Sequence, residues 1–297
     1  MGLLGRVALP KLTSQWKSLI PNCANPDCEL ASVLHNFSRR RQGLKIGSGW
    51  YCCPDCVEQA ACAQIAELCH RDVPASARRR FRVPLGLVLL SRGVITHEQL
   101  QRALAEQRTG GGRIGEVLTR LGFASEEQVT LSAAVQWGCP VISLKDRAAE
   151  TEIKLPHFLL ELHSCLPVYY AQAANKLIVG FVQQIDRNLL SAIEEMTATV
   201  AVPACITPSD FQLRIRELAS NVRNEEVTVD SVKSPSEMAR IVRNYAVQIE
   251  AAAVRFTRCR EYIWSRLQGA RQEIELLFKI PGRCDWGVSQ SECYRLR

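Results

Sequence analysis

The chain has 297 residues, of which 47% are hydrophobic and 23% charged, a balance that fits folded domains and excludes a disordered chain. At roughly 100–200 residues per domain, two or three domains are expected. No apolar run approaches the roughly 20 residues of a membrane helix. The start, MGLLGRVALPKL, has neither the apolar core nor the cleavage site of a signal peptide, and Arg6 breaks the myristoylation pattern. A cytoplasmic protein without membrane insertion is therefore expected. The net charge of +7 is uneven, with 12 Lys/Arg against 6 Asp/Glu in residues 1–83. Runs at Arg39–Arg41 and Arg78–Arg80 suit nucleic acid or anionic lipid, or more simply a solvated loop.

Residues 1–20 form a lead-in, and residues 21–71 a cysteine-rich module. Seven of the thirteen cysteines lie between Cys23 and Cys69. An odd count without an export signal argues against a disulfide framework and for metal. Cys23 and Cys28 bracket Asn25-Pro26-Asp27, and Cys53 and Cys56 bracket Pro54-Asp55. Both intervals carry turn residues that bring two thiolates to one point. Two such knuckles predict a closed, structural zinc site of Cys23, Cys28, Cys53 and Cys56, zinc-finger-like in kind. Cys52 competes with Cys53. His35 and His70 are weaker candidates for the same site. Cys62 and Cys69 share a helix face with Ile65 and read as core. A catalytic zinc would need an open position and a general base, and neither is indicated.

After a linker over 72–83 comes an internal repeat. Residues 84–107 align with 113–136 at an offset of 29, with 8 of 24 positions identical. Each half reads helix, glycine stop, second helix. Gly93 and Gly122 stand where a helix end favours positive φ. Thr96-x-x-Gln99 and Ser125-x-x-Gln128 are capping boxes. Residues 84–137 are thus expected to pack as a small bundle of two helix pairs, joined by the flexible connector Thr109–Arg113.

These residues resemble the tandem motif of the N-terminal domain of type II secretion and type IV pilus assembly ATPases, the MshEN-type domain. The resemblance covers 84–136 and continues to about 218, as an α/β subdomain. It implies binding of cyclic di-GMP, one motif per half of the dinucleotide. Leu85, Gly86, Gly93 and Gln107 would serve one half. Arg113, Ile114, Gly115, Gly122 and Gln136 would serve the other. The chemistry is coherent: arginine stacks on guanine or pairs with phosphate, and a glutamine amide both donates and accepts. Glycine lets backbone approach a base. The chain departs from the pattern at Pro84, where the family has arginine; Arg82 lies two residues earlier. Ala124 and Ala133 stand where larger aliphatics are usual. The phosphate loop G-x-x-x-x-G-K-[ST] is missing: Gly110 and Gly115 have the gap, but Glu116 and Val117 follow. With few residues after 220, the resemblance is to the regulatory domain without its ATPase core.

In residues 138–220, Pro140–Leu144 and Lys176–Val182 read as strands; Pro156–Leu162, Asn188–Met196 and Pro208–Leu218 read as helices. Nothing completes a site around His157 or His163. Residues 221–297 read as a small interaction unit: a strand over Glu226–Val232, a long helix from Ser234, and a hairpin of Glu261–Leu267 with Glu273–Ile280. The expected fold is α+β and multidomain: a zinc-finger-like module, a tandem helix-pair repeat with an α/β subdomain, and a C-terminal β-α-β-β unit. No nucleophile–base or carboxylate pair is placed by any motif. The expected function is a non-enzymatic regulator that binds zinc and cyclic di-GMP and meets a protein partner, by resemblance secretion or pilus machinery. The alternatives are a protein-interaction adaptor that has lost the ligand and a zinc-dependent nucleic-acid binder.

Overall fold

A computed structural model describes residues 22–28, 43–71, 82–144, 153–182, 184–220 and 225–280. His35, both arginine runs and the lead-in lie outside the described residues.

The repeat folds as four helices: α2 (Leu85–Ser91), α3 (His97–Gly110), α4 (Ile114–Arg120) and α5 (Glu126–Trp137). The first and third helices stop at Gly93 and Gly122, with φ of +68° and +70°, a conformation that costs other residues about 1 kcal/mol. Thr96 and Ser125 then start the second helices with capping boxes; each hydroxyl accepts from the backbone N–H three residues on, and Gln99 and Gln128 return the bond. The halves interlock: α2 packs on α5, and α3 on α4. Leu89 and Leu118, repeat equivalents, are fully buried at the centre.

The α/β subdomain contains a three-stranded sheet in the order β3 (Cys165–Ala171), β4 (Lys176–Phe181), β5 (Val200–Cys205). β3 runs antiparallel to β4, and β5 parallel to it. Its helices are α6 (His157–His163), α7 (Arg187–Thr197) and α8 (Pro208–Ser220). The stretch Pro140–Leu144, expected as a strand, makes only one isolated bridge, Val141 to Cys205. Pro140 removes a ladder donor, so the stretch pairs no further.

The cysteine-rich segment and the C-terminal unit, expected apart, build one sheet. Its order is β2-β1-β7-β8-β9-β6, with β1 (Leu44–Ile46), β2 (Gly49–Tyr51), β6 (Glu225–Val229), β7 (Ala253–Cys259), β8 (Tyr262–Gln268) and β9 (Glu273–Lys279). β1 pairs parallel with β7 through Lys45–Ala253 and Ile46–Val254. The helices α1 (Pro54–His70) and α9 (Pro235–Gln248) pack on each other and on one face of this sheet. The C-terminal unit is β-α-β-β-β, because Ala253–Cys259 is a strand the expected β-α-β-β order lacks.

Both faces of the sheet are covered. Ile263, Leu267, Ile274, Leu276 and Phe278 face α1 and α9, whereas Trp264 and Leu277 join the core of the α/β subdomain. The period of two along each strand sorts them. β8 and β9 form the hairpin expected over Glu261–Leu267 and Glu273–Ile280, here buried on both faces.

Two ion networks around buried carboxylates tie the α/β subdomain to this sheet. Glu275, 1% exposed, accepts from Arg266 Nε at 2.6 Å and from Trp264 Nε1 at 2.6 Å. Arg266 also reaches the Lys154 carbonyl at 2.7 Å. Burial raises the Glu275 pKa, and Arg266 opposes it. In the second network Asp186 caps α7 by accepting from the amides of Asn188 and Leu189. Its other oxygen faces His163 Nδ1 at 3.0 Å and Arg260 Nε at 2.7 Å. His163, which sequence reading left without a role, is this buried partner.

Candidate functional site

The nine repeat positions singled out above divide by burial. Leu85, Gly86 and Gly115 are buried; Ile114, Gln107 and Gln136 are partly buried; Gly93, Gly122 and Arg113 are exposed. Gly86 serves helix packing: a Cβ there would lie 2.6 Å from Leu100 Cδ1. Its side faces α3 rather than solvent. Gly93 and Gly122 are turn residues with open space where a Cβ would stand. Ala124 and Ala133 are buried, Ala133 completely, so the small residues at these motif positions fit a tight core. Leu104, the repeat equivalent of Ala133, is 39% exposed.

The two glutamines stand in equivalent places. Gln107 Nε2 donates to the Gly112 carbonyl at 2.9 Å. Gln136 Nε2 donates to the Val83 carbonyl at 2.7 Å. Gly112 immediately precedes the second repeat and Val83 the first. Each repeat's last glutamine therefore fastens the start of the other, a pseudo-two-fold arrangement.

The two starts differ chemically. Arg113 is the exposed residue before α4, and its backbone N–H donates to Glu116 at 3.3 Å. Pro84 stands at the matching place before α2. Arg82 stacks its guanidinium on Trp137, 3.4 Å from the ring centroid, which fixes this cation against the end of α5. Val83 and Leu87 on the first segment, and Leu131 and Val135 on α5, are exposed apolar side chains.

The second site is a thiol cluster. Cys23, Cys28, Cys52 and Cys56 place their sulfurs within 4.8 Å of one another. Tetrahedral zinc with bonds of about 2.3 Å sets its sulfurs about 3.8 Å apart, so the donor set and its spacing fit that metal. Cys53 is not in the group; Cys52 takes the place expected for it. Leaving β2, consecutive side chains point to opposite sides, and only Cys52 faces the loop of Cys23. Cys53 is instead the buried N-cap residue of α1, its carbonyl accepting from Val57. The second knuckle is thus Cys-x3-Cys.

Local chemistry fixes the cluster. Ala24 N–H donates to the Trp50 carbonyl at 2.8 Å, pinning the first knuckle to β2. Asn25 forms an Asx turn with Asp27 and reaches Cys56 Sγ at 3.3 Å and Gln59 at 2.7 Å. Burial pushes the Cys52 and Cys56 thiols well above the ordinary range. Burial also acts upward on Cys23, but backbone donors at Asn25 and Cys52 bring it below. Such a group of thiols deprotonates together only around a cation. His70, at the end of α1, is exposed and outside this cluster.

No family model matches the chain. It is 31% identical over 129 residues to the type IV pilus assembly ATPase PilB of Thermus thermophilus, covering 43% of this chain and 14% of that protein. It is 36% identical over 114 residues to PilB of Myxococcus xanthus, covering 38% and 19%. The chain thus spans at most about a fifth of these relatives' length. Among solved structures, MshE with cdg aligns at 23% identity and a TM-score of 0.40, over 46% of this chain and 99% of that one. The N-terminal domain of XpsE aligns at 20% identity and a TM-score of 0.37, over 45% and 92%. Part of the chain thus resembles part of type IV pilus assembly ATPases. Among the described residues no helix is long and apolar enough to cross a membrane.

Proposed function

We propose that this chain is a non-enzymatic cytoplasmic regulator whose tandem repeat receives cyclic di-GMP and whose cysteine cluster holds structural zinc. The observation that carries the reading is the reciprocal pair of glutamine contacts, Gln107 to Gly112 and Gln136 to Val83. A pseudo-two-fold frame presents two matching half-sites, and a cyclic dinucleotide has two matching halves. One N–H of each amide holds the frame; the other N–H and the oxygen can meet a guanine edge. Arg113 supplies a planar cation for stacking or phosphate. Exposed Leu87, Leu104 and Val135 offer apolar surface to a base. Likeness to pilus assembly ATPases points to secretion or pilus machinery as the protein partner, and the missing phosphate-loop lysine supports a role without ATP hydrolysis.

Zinc at Cys23, Cys28, Cys52 and Cys56 would contribute folding free energy. Because β1 and β2 are part of the large sheet, that contribution would reach the C-terminal unit. Calorimetric titration with cyclic di-GMP, beside GTP and ATP, tests the ligand. Saturable binding of cyclic di-GMP alone supports the reading; no binding leaves the adaptor role.

A further inference from the structure

Cys139 and Cys205 lie outside the metal cluster and outside both nucleotide half-sites, yet their sulfurs are 3.4 Å apart. They meet where the tandem repeat joins the three-stranded sheet. Gly138 ends α5 in the left-handed region, φ +66°, and turns the chain so that Cys139 faces β5. Two backbone bonds then bracket Cys205: its N–H donates to the Pro140 carbonyl at 2.8 Å, and its carbonyl accepts from Ile142 at 2.9 Å. Both thiols are free. Cys205 is fully buried, and Cys139 is partly exposed.

We propose that Cys139 and Cys205 form an oxidisable dithiol that closes to a disulfide under peroxide and locks the tandem repeat onto the α/β subdomain. The geometry assigns unequal roles. Cys139 is the sulfur a small peroxide can reach. Cys205 is the sulfur poised behind it, which a peroxide cannot reach. Its bond to Cys205 holds the Cys139 thiol below the usual range, whereas Cys205 is raised, the order an attacking and a resolving thiol need.

In the first step the Cys139 thiolate attacks one peroxide oxygen. The O–O bond breaks, the second oxygen leaves as hydroxide and takes a proton to become water, and the sulfur becomes a sulfenic acid. Cys205 sulfur then attacks Cys139 sulfur. The S–S bond forms, the S–O bond breaks, and the hydroxyl leaves as water with the Cys205 proton. Two thiols and one hydrogen peroxide give one disulfide and two waters. A dithiol reductant reverses the bond by exchange. A disulfide needs sulfurs about 2.05 Å apart, so a small side-chain rotation closes the gap. Cys139 follows directly on α5, which ends in Gln136 and Trp137, so oxidation would stiffen one end of the repeat.

The test is peroxide treatment of the full chain, then alkylation and peptide mapping. Trypsin leaves each thiol as the single cysteine of its own peptide, residues 121–145 and 188–214. The expected result is a cross-linked pair of these peptides, two hydrogens lighter than the sum of the thiols, that a dithiol separates. In Cys205→Ala the pair should vanish, and Cys139 should label with a sulfenic-acid probe. If that variant fails to fold, mapping of the wild type decides alone. Both thiols still alkylated after peroxide has oxidised other cysteines, or Cys139 joined to a different cysteine, would overturn the proposal. The outcome is independent of cyclic di-GMP, which the mapping does not contain.

Discussion

Gln136 donates to the carbonyl of Val83, 53 residues earlier, at 2.7 Å. The contact closes the four-helix repeat on itself, and its equivalent, Gln107 to Gly112, closes the other side. A residue type that resemblance assigns to ligand recognition also holds the two repeats in register. Substitution of either glutamine therefore acts on both.

The half-sites should contribute unequally. Losing a charge-assisted contact costs about 1.5–3 kcal/mol, so Arg113→Ala should weaken cyclic di-GMP about ten- to a hundredfold. Thermal unfolding of this variant should match wild type, because Arg113 is exposed. Pro84→Arg should tighten binding, since stacking on Trp137 holds Arg82 and leaves the first repeat without a second cation at its start. Titration of both variants beside wild type checks the pair.

Gly86→Ala should destabilise the repeat whether or not a ligand binds. The new methyl would meet Leu100 at 2.6 Å, and overpacking of that kind costs about 1–3 kcal/mol. The check is a denaturant melt followed by a repeat-specific signal, such as Trp137 fluorescence in a variant lacking the other tryptophans. An unchanged midpoint would mean the two helices separate more easily than their packing indicates.

Zinc should track Cys52 and not Cys53. Elemental analysis of protein purified without added metal should find about one zinc per chain in wild type and in Cys53→Ser, and little in Cys52→Ser. Removing zinc with a chelator should lower the melting temperature of the C-terminal unit as well, because β1 pairs with β7. Full zinc in Cys52→Ser would return the site to the expected Cys-x2-Cys spacing.

Acid should unlock the junction at Asp186. Burial opposes its charge, but His163, Arg260 and the α7 amides together hold its carboxyl below the usual range. A folded-state pKa below the unfolded value near 3.9 gives stability that is fully present above about pH 4 to 5. It is lost as pH falls through the folded value. Asp186→Asn should be destabilised at pH 7, by about 1–3 kcal/mol for the lost charge-assisted contacts. It should also show a flatter decline below pH 4 than wild type. Parallel acid limbs in a pH series of urea melts would contradict this.

The repeat was readable because each of its stops is local. Gly93, Gly122 and the two capping boxes are decided within four residues, and the structure places all of them as expected. The large sheet was not readable in the same way. Leu44–Ile46 and Ala253–Cys259 are neighbours in space but lie about 200 positions apart, and no local pattern records which strands pair. Ala253–Cys259 also follows a long helical stretch, and it has no clean alternation: Val254 and Phe256 share a face with Arg258, and Cys259 shares the other with Arg255. At the metal cluster the turn residues marked both knuckles. The choice between Cys52 and Cys53 depended on where β2 ends, a matter of one residue that flips the side chain. The roles of His163 and Asp186 depended on Arg260 arriving from the sheet.

The most direct test of the central claim is calorimetric titration of the zinc-loaded full chain with cyclic di-GMP, GTP and ATP. The account predicts saturable binding of cyclic di-GMP, none of the mononucleotides at the same concentration, and binding about ten- to a hundredfold weaker in Arg113→Ala. Equal affinity of wild type and Arg113→Ala, or no heat with any of the three, would contradict it and make the repeat a packing and docking element.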